Sequence, residues 1–426
     1  MPENQAQQCQ SFKEECMTAL NRGDEDAAGS PAPGAASRRS VRHRAAALGA
    51  AALGSALVAA LASPALAVTA RPVSGHHGFG GANDRAVFVQ TDNTGGNEVV
   101  AYHRLPSGAL TQAGSYQTGG LGGQLAGSVV DHLASQGSLA LDRQAGLLVA
   151  VNAGSNTISV FGVRGDELQL RQVIGSGGTF PVSVSIHGNL AYVLNAEDGG
   201  AVQGYRVTPG GLEQLPGSNR ALGLDPTLTP QFTSTPGQVA FSPDGRQLIV
   251  TTKANGNDID VFGLTAGGGL SAAPVVNSEP GTVPFAITFD PAGHLVIAEA
   301  GTNSLASFTL NPSGTVTPIT TAATGQTATC WVTSIRGLLF ADNAGSASVS
   351  AFAASPAGSL TALGSPVSTD AGTVDSAASP SGRFLYVQTG AAGIVDEFAA
   401  SPAGELTEIG SVTVPGAVGG EGIVVG

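Results

Sequence analysis

Cysteine and lysine are scarce in this chain of 426 residues, and their positions narrow the possible functions. Cys9 and Cys16 lie in an N-terminal segment that we expect to be removed, which leaves Cys330 without a partner for an internal disulfide. Beyond residue 67 the single lysine is Lys253, whereas nucleic-acid binding needs clustered Lys and Arg to neutralise phosphates. The composition therefore argues against a nucleic-acid partner.

Motifs for metals and cofactors are also missing. Histidine and cysteine show no repeated spacing typical of a zinc site, so we expect no metal. Lys253 follows Thr252 rather than a glycine-rich loop, which excludes a P-loop for phosphates. No other motif indicates a cofactor. The fold and the site must therefore be predicted from repeats and from the spacing of polar residues.

The first 67 residues have the layout of a secretory signal. Four arginines between residues 38 and 44 precede the nearly uncharged run 45–61, and Ala65-Leu66-Ala67 provides a cleavage site. Ser37-Arg38-Arg39 is a partial match to a twin-arginine signal. We expect a secreted protein with no stable membrane span after processing. Six of the 18 basic and six of the 31 acidic residues precede Val68, so the mature chain keeps a formal net charge of −13.

Aromatic residues recur through the rest of the chain, each in a short β run that follows a polar break. They are Tyr102, Phe161, Tyr205, Phe262, Phe308, Phe352 and Phe398, at spacings of 59, 44, 57, 46, 44 and 46 residues. A period near 45 residues built from several short strands is typical of a β-propeller with one four-stranded blade per repeat. We predict an all-β fold, a seven-bladed β-propeller over residues 86–426, preceded by an irregular mature N-terminus at residues 68–85.

The two ends of the repeat region complement each other. Glycine turns mark seven outer hairpins but only six inner ones, because the first repeat begins at Ala86 without an inner strand before it. The chain ends in an apolar run at 422–425, an inner strand with no blade behind it. We predict that this C-terminal strand completes the N-terminal blade and removes both sheet edges. The result is one continuous domain, which we expect to be a monomer.

The polar breaks place one ring of side chains near one mouth of the channel. They are Asp92, Asn152, Asn195, Lys253, Glu299, Asp342 with Asn343, and Gln388 with Thr389. Turn chemistry explains the asparagines, but not Lys253 or Glu299, which lie in adjacent blades with Asp342 in the next. A carboxylate beside a cation and a second carboxylate can be tuned for acid–base work or can form a structural ion-pair network.

Two long intervals indicate insertions on the same face as this polar ring. They span roughly 119–136 and 218–236, and long loops on one face of a rigid scaffold are where binding sites concentrate. The alternative is that they are neutral decorations. Asp131, His132 and Ser135 in the first insertion are hydrolase residue types, but neighbours in sequence rarely form a triad.

Four segments resemble a known family of propellers. VNAGSNTISVF at 151–161, SPDGRQLIV at 242–250, GQTATCWV at 325–332 and GRFLYV at 382–387 are similar to the secreted bacterial branch of the lactonase-family seven-bladed propellers. That family includes 6-phosphogluconolactonases and proteins described as carboxymuconate cyclases. The resemblance implies equivalents in this branch for Lys253, Glu299, Cys330-Trp331 and Asp375.

One part of the family pattern is missing. The phosphogluconolactonase type has Pro-Arg-His before an inner strand, where this chain has Pro236-Gly237-Gln238, and a second His-Pro corresponds to Phe180-Pro181. Because the residues expected to hold a phosphosugar and move protons are replaced, 6-phosphogluconolactone is a poor substrate candidate.

Two functions stay open at this point. The first is hydrolysis of a non-phosphorylated lactone or cyclic ester, with Glu299 as general base, Lys253 stabilising the oxyanion and Asp342 tuning the pair. The second is a non-catalytic propeller that binds a glycan, small molecule or protein. In either case the expected substrate-binding residues are Asp92, Asn152, Asn195, Gln238, Phe285, Trp331 and Asp375.

Overall fold

Short strands joined by tight turns make up residues 85–426, the part of the chain that the computed structural model describes. The expected signal at 1–67, its two cysteines and the mature N-terminus at 68–84 lie outside these residues. The strands fall into seven antiparallel sheets, each with its own run of four consecutive strands except at the point where the ring closes.

Each sheet is one blade, and its strands run in order from the channel to the rim. Blade 1 contains β1 (Ala86–Gln90), β2 (Glu98–Arg104) and β3 (Leu110–Gln117), with β29 (Ile423–Val425) on its inner side; blade 2 contains β4 (Leu139–Asp142), β5 (Leu147–Asn152), β6 (Thr157–Arg164) and β7 (Glu167–Gly175); blade 3 contains β8 (Pro181–His187), β9 (Leu190–Asn195), β10 (Ala201–Thr208) and β11 (Gly211–Gln214). Blade 4 contains β13 (Val239–Phe241), β14 (Gln247–Thr251), β15 (Asp258–Gly263) and β16 (Val275–Ser278); blade 5 contains β17 (Pro284–Phe289), β18 (Leu295–Glu299), β19 (Ser304–Leu310) and β20 (Val316–Ala323). Blade 6 contains β21 (Thr329–Ile335), β22 (Leu338–Asn343), β23 (Ser348–Ala354) and β24 (Leu360–Ser368); blade 7 contains β25 (Thr373–Ala378), β26 (Phe384–Thr389), β27 (Ile394–Ala400) and β28 (Leu406–Thr413).

The second insertion adds small elements to this plan. Strand β12 (Arg220–Ala221) pairs with the start of β10, and a one-turn helix, α1 (Gln231–Ser234), follows it. Two 3₁₀ turns, Ala153–Ser155 and Ala344–Ser346, lie directly after β5 and β22. No helix among residues 85–426 is long and apolar enough to cross a membrane.

The ring closes as the sequence predicts. Strand β29 pairs antiparallel with β1, with Val425 opposite Val87 and Ile423 opposite Val89. The inner strands contact one another in the order β4, β8, β13, β17, β21, β25 and β29, and β29 returns to β4. The C-terminus therefore supplies the inner strand of the N-terminal blade. As a result, the second strand of every blade is paired on both sides.

The hydrophobic core lies between the blades. The second strands of the blades are apolar on both faces because each blade packs against two neighbours, and every residue of Leu147–Asn152 is buried. All seven anchor aromatics are buried, as predicted for packing residues. Tyrosines also link blades through hydrogen bonds: the Tyr386 hydroxyl of blade 7 donates to the Gly108 carbonyl of blade 1 at 2.6 Å.

This link allows a matched test between two buried tyrosines. Tyr386→Phe leaves the Gly108 carbonyl without its partner, so we expect a loss of about 1 to 3 kcal/mol in the free energy of unfolding. The Tyr102 hydroxyl is buried with no hydrogen-bond partner among residues 85–426, so Tyr102→Phe should be neutral or stabilising. Denaturant unfolding of both variants measures the difference, and equal losses would contradict this account of the interface.

Candidate functional site

The first insertion fills the channel instead of lining its rim. Residues 119–138, which we call the plug, leave β3, cross the ring and enter β4. Leu125 and Leu133 within it are fully buried. The plug docks on opposite sides of the ring, because the His132 amide donates to the Gly419 carbonyl at 2.8 Å and the Val184 amide donates to the Gly137 carbonyl at 2.8 Å. The loop-bearing mouth is thus closed by the chain itself.

The plug supplies partners to the inner edges of the blades. An inner strand has a neighbour on one side only, so its other N–H and C=O groups face the channel and need partners. The Gln136 side chain serves both groups of Val332, accepting from its amide and donating to its carbonyl at 3.0 Å each. The Ser135 hydroxyl donates to the Val182 carbonyl at 2.9 Å, and the Trp331 indole donates to the Ser135 carbonyl at 2.7 Å.

Lys253 fastens the plug to the second insertion. Its ammonium donates to the Ala134 carbonyl at 2.7 Å, the Phe232 carbonyl at 2.6 Å and the Thr235 hydroxyl at 3.0 Å. The side chain is 1% exposed, and the nitrogen lies 5.3 Å from the centre of the Phe285 ring. An ammonium has three hydrogens to donate, and these three acceptors match them. The geometry is that of a tether between two loops.

Four buried carboxyl groups surround the other side of the plug. We call them the acid cluster: Asp92, Asp131, Asp375 and Glu421. Asp131 belongs to the plug and accepts the Leu133 and Ala134 amides at 2.8 Å each. Glu421 accepts the Gly137 amide at 2.8 Å. The cluster therefore joins the plug to the strands that close the ring.

The remaining contacts connect the acids to one another through the end of the chain. Asp92 accepts the Glu421 amide at 2.8 Å, and Asp375 accepts the Ile423 amide at 3.1 Å. The Asp375 and Glu421 carboxyl groups are close enough for the charge of Asp375 to raise the pKa of Glu421. Two blades, 1 and 7, and the plug thus meet at Glu421.

Burial keeps this cluster protonated well above the ordinary range of a carboxylic acid. Desolvation raises the pKa of Asp92 to about 8. Desolvation also raises the pKa of Asp131 to about 7, although three backbone amides and the charge of Lys253 act in the opposite direction. The pKa of Asp375 rises to about 7, and that of Glu421 lies well above its usual value because of burial and the three neighbouring acids.

Glu299 and Asp342 each have surroundings of their own. Glu299 accepts the Ser304 hydroxyl at 2.8 Å and the Thr302 hydroxyl at 3.1 Å, and burial raises its pKa. Asp342 is fully buried, and desolvation followed by the charge of Asp375 raises its pKa, although neither of its oxygens completes a hydrogen bond of normal geometry. The hydrogen bonds described above do not join the three predicted catalytic residues, and their role as an acid–base set stays a prediction.

The predicted binding residues divide into two groups. Asn152 donates to the Ser159 hydroxyl at 2.8 Å and Asn195 to the Ser176 carbonyl at 3.2 Å, which is the turn-stabilising role that their residue type favours. The other five have buried partners: Trp331 donates to the Ser135 carbonyl of the plug, Asp92 and Asp375 accept the amides of Glu421 and Ile423, Gln238 accepts the Ile287 amide, and Phe285 lies against Trp331. Among these, the Phe285 and Trp331 rings pack edge to face, with centroids 5.1 Å apart.

Sequence reasoning named Asp131 only as a hydrolase residue type, and it missed Glu421 and the closure of the mouth. One signal was present: the insertion contains Leu125, Val130 and Leu133, apolar residues that an exposed decorative loop does not need. Gly390 is a second signal, because a glycine can mark the close approach of another backbone. In the structure a Cβ at Gly390 would lie 1.6 Å from the Val130 carbonyl oxygen of the plug. Nothing in the sequence pairs Glu421 with residues near position 131.

The opposite mouth of the channel stays open. A cavity of about 600 Å³ lies on the face that carries the hairpins, and Gln136 of the plug forms part of its lining. Inner-strand residues supply the rest of the wall, among them Ile186, Thr288, Ser334 and Ala378. Among residues 85–426, no three His, Cys, Asp or Glu side chains are arranged to hold a metal ion.

Seven blades closed into a ring define the fold: the chain is a seven-bladed β-propeller, and it shares this fold with solved structures that are described as lactonases. Solved structures with this fold include a periplasmic gluconolactonase of Pseudomonas aeruginosa, at 18% identity and a TM-score of 0.62, covering 80% of this chain and 98% of that one. A "putative 6-phosphogluconolactonase" of Bacteroides fragilis matches at 18% identity and a TM-score of 0.61, covering 78% and 96%. A protein of Lactobacillus plantarum matches at 18% identity and a TM-score of 0.63, covering 80% and 98%. No family model and no curated protein sequence matches the chain.

The raised pKa values predict that the protein loses stability as the pH rises. The native acid cluster holds protons that the unfolded chain releases above about pH 4, so unfolding becomes easier with increasing pH until the native groups ionise near pH 7 to 8. We expect Tm to fall by several degrees from pH 5 to pH 8.5 in thermal scans at constant ionic strength. A Tm that rises over this range would contradict the assignment.

Close packing of the plug predicts a second effect. Gly390→Ala places a methyl group against the Val130 carbonyl, and we expect it to destabilise the protein by about 1 to 3 kcal/mol, as overpacking does. Gly263→Ala is the control, because no atom lies within 4 Å of its added Cβ, and its effect should stay within about 0.5 kcal/mol. Equal effects in denaturant unfolding would show that the plug is not packed on Gly390.

Proposed function

We propose that this propeller is a binding protein that takes a small, uncharged, polyhydroxylated molecule, such as a mono- or disaccharide, into the hairpin-side cavity. One observation carries the proposal: the plug occupies the loop-side half of the channel, while the hairpin-side half is an open cavity of about 600 Å³. That volume lies within the range of ordinary small-molecule sites, roughly 300 to 1,000 Å³.

The lining supports an uncharged polar ligand. Thr288 and Ser334 present hydroxyl groups that make no hydrogen bond to another residue within 85–426, and Ile186 adds apolar surface. The two charged residues of the wall are already engaged: Arg143 donates to the Val425 carbonyl, and Asp142 accepts the amides of its own turn at 2.9 Å. Hydroxyls beside apolar patches suit a sugar better than an anion.

The surroundings of Lys253 favour binding over hydrolysis. An oxyanion-stabilising ammonium must direct its hydrogens to the place where charge develops in the transition state. The hydrogens of Lys253 are directed to Ala134, Phe232 and Thr235, and covering loops separate the ammonium from solvent. Glu299 is bonded to hydroxyls of its own blade.

Lactone hydrolysis is the second candidate, and the likeness to the Pseudomonas aeruginosa gluconolactonase is the observation that favours it. In this alternative Glu299 activates water, Lys253 stabilises the oxyanion and Asp342 tunes the pair at the loop-bearing mouth. The substrate would be a non-phosphorylated lactone, since Gly237 and Gln238 stand where the phosphogluconolactonase pattern has Arg and His. The reaction requires the plug to leave the channel.

A paired assay separates the two functions. The purified protein is screened by thermal shift against neutral mono- and disaccharides, and by pH-stat against non-phosphorylated lactones. We expect a ligand-dependent rise in Tm and no turnover. Thr288→Leu removes one hydroxyl from the cavity, and the loss of a hydrogen bond worth about 1 to 1.5 kcal/mol weakens binding roughly five- to tenfold.

Thr361→Leu is the matched control, because Thr361 is exposed on the outer strand β24. Unchanged affinity in Thr288→Leu, or equal loss in both variants, would count against the cavity. Turnover of a lactone that Glu299→Gln abolishes in a folded protein would establish the second candidate instead.

A further inference from the structure

The plug separates two spaces that would otherwise form one channel. Gln136 forms part of the wall of the hairpin-side cavity, and the mostly buried residues 130–135 before it occupy the ring toward the loop face. Displacing the plug would connect the cavity to that face. Whether the channel is a pocket or a pore therefore depends on what holds the plug.

We propose that the plug is a proton-operated gate: protons on the acid cluster hold it in the channel, and their loss at alkaline pH releases it. The inference does not depend on the ligand proposed above. It rests on the position of the cluster, which lies across the boundary between the plug and the ring. Asp131 comes from the plug, and the other three acids come from the blades and the closing strand.

The charges around this boundary determine the response. Each of the four acids becomes negative on losing its proton, and Asp342 beside Asp375 adds a fifth buried carboxyl group. The one cation of the cluster is Lys253, whose charge lowers the pKa of Asp131. Ionisation therefore places Asp131 opposite Asp92 and Glu421 as like charges in a medium that screens them poorly.

Glu421 transmits this repulsion to the plug. The charges of Asp375, Asp131 and Asp92 all act on it. Glu421 accepts the Gly137 amide and its own amide donates to Asp92, so any movement of Glu421 reaches the plug. Lys253 and the backbone amides that bond to these carboxylates oppose the repulsion.

His132 does not interfere with this response in the relevant pH range. Its ring packs on Gly419, and burial lowers its pKa below the usual value. It is therefore neutral while the carboxyl groups titrate between pH 7 and 8. Protonation of His132 belongs to a more acidic range.

Trp331 reports directly on the gate. It is the single tryptophan of the chain, it is 2% exposed, and its indole donates to the Ser135 carbonyl of the plug. The test is to record the emission of Trp331 and its quenching by acrylamide on the full chain from about pH 6 to pH 9, the range in which buried carboxyl groups ionise. We expect a reversible red shift and a several-fold increase in quenching, with the far-UV circular dichroism unchanged.

Variants assign the response to the cluster. The Asp375→Asn, Glu421→Gln double variant removes two titrating groups, so its Trp331 should stay shielded across the range. Asp131→Asn tests the same gate from the plug side and should weaken the transition. Asp260→Asn is the control, because burial raises the pKa of Asp260 to about 7 in strand β15, outside the cluster, and this variant should respond like the native protein.

Four results would overturn the proposal. Quenching that does not depend on pH excludes the gate in the native protein, whether or not any variant folds. Loss of far-UV circular dichroism at the same pH midpoint as the increase in Trp331 quenching would show that the whole ring unfolds. A full transition in the double variant, or its loss in Asp260→Asn, excludes the cluster as the trigger.

Discussion

The pairing of β29 with β1 is the constraint on which the rest of the structure depends. It removes the two exposed strand edges of an open ring, and it also brings the last residues of the chain to the centre. Glu421 directly precedes β29, and its amide reaches Asp92 across 329 positions of sequence. Without ring closure there is no acid cluster, and the Gly419 carbonyl cannot accept the His132 amide of the plug.

The same ring creates the need for a plug. Inner strands expose one edge to the channel, and those polar groups need water, a ligand or another part of the chain as partners. On the loop side, Ser135 and Gln136 take that role for β8 and β21. On the hairpin side the channel is left as a cavity. A single insertion thus divides the channel into a filled loop side and an open hairpin side.

Much of this architecture could be predicted from the sequence because it repeats. The aromatic period gave the number of blades, and the unmatched apolar run at the C-terminus gave the closure. The polar ring at one mouth stays a prediction as a functional site, although Lys253 and Asp92, two of its members, do have buried hydrogen-bond partners. Repetition transfers information from one blade to the next, so several weak signals support one prediction.

The partners within the site could not be predicted in the same way. Lys253 and Glu299 occupy equivalent positions in adjacent blades, yet one side chain turns to the plug and the other to Thr302 and Ser304. Insertions occur once, so no second copy shows where they fold. The meeting of Asp131 with Glu421 depends on tertiary contacts between such unique segments, and local sequence patterns do not encode it.

Residues 130–138 of the plug are packed inside the channel as firmly as the blades around them. Hydrogen–deuterium exchange of the native protein at mildly acidic pH tests this packing most directly, because buried and hydrogen-bonded amides exchange slowly. We predict that the amides of Leu133, Ser135 and Gly137 are protected to the same degree as those of β5 and β8. Exchange of these amides as fast as that of the exposed hairpin at residues 143–145 would contradict the account.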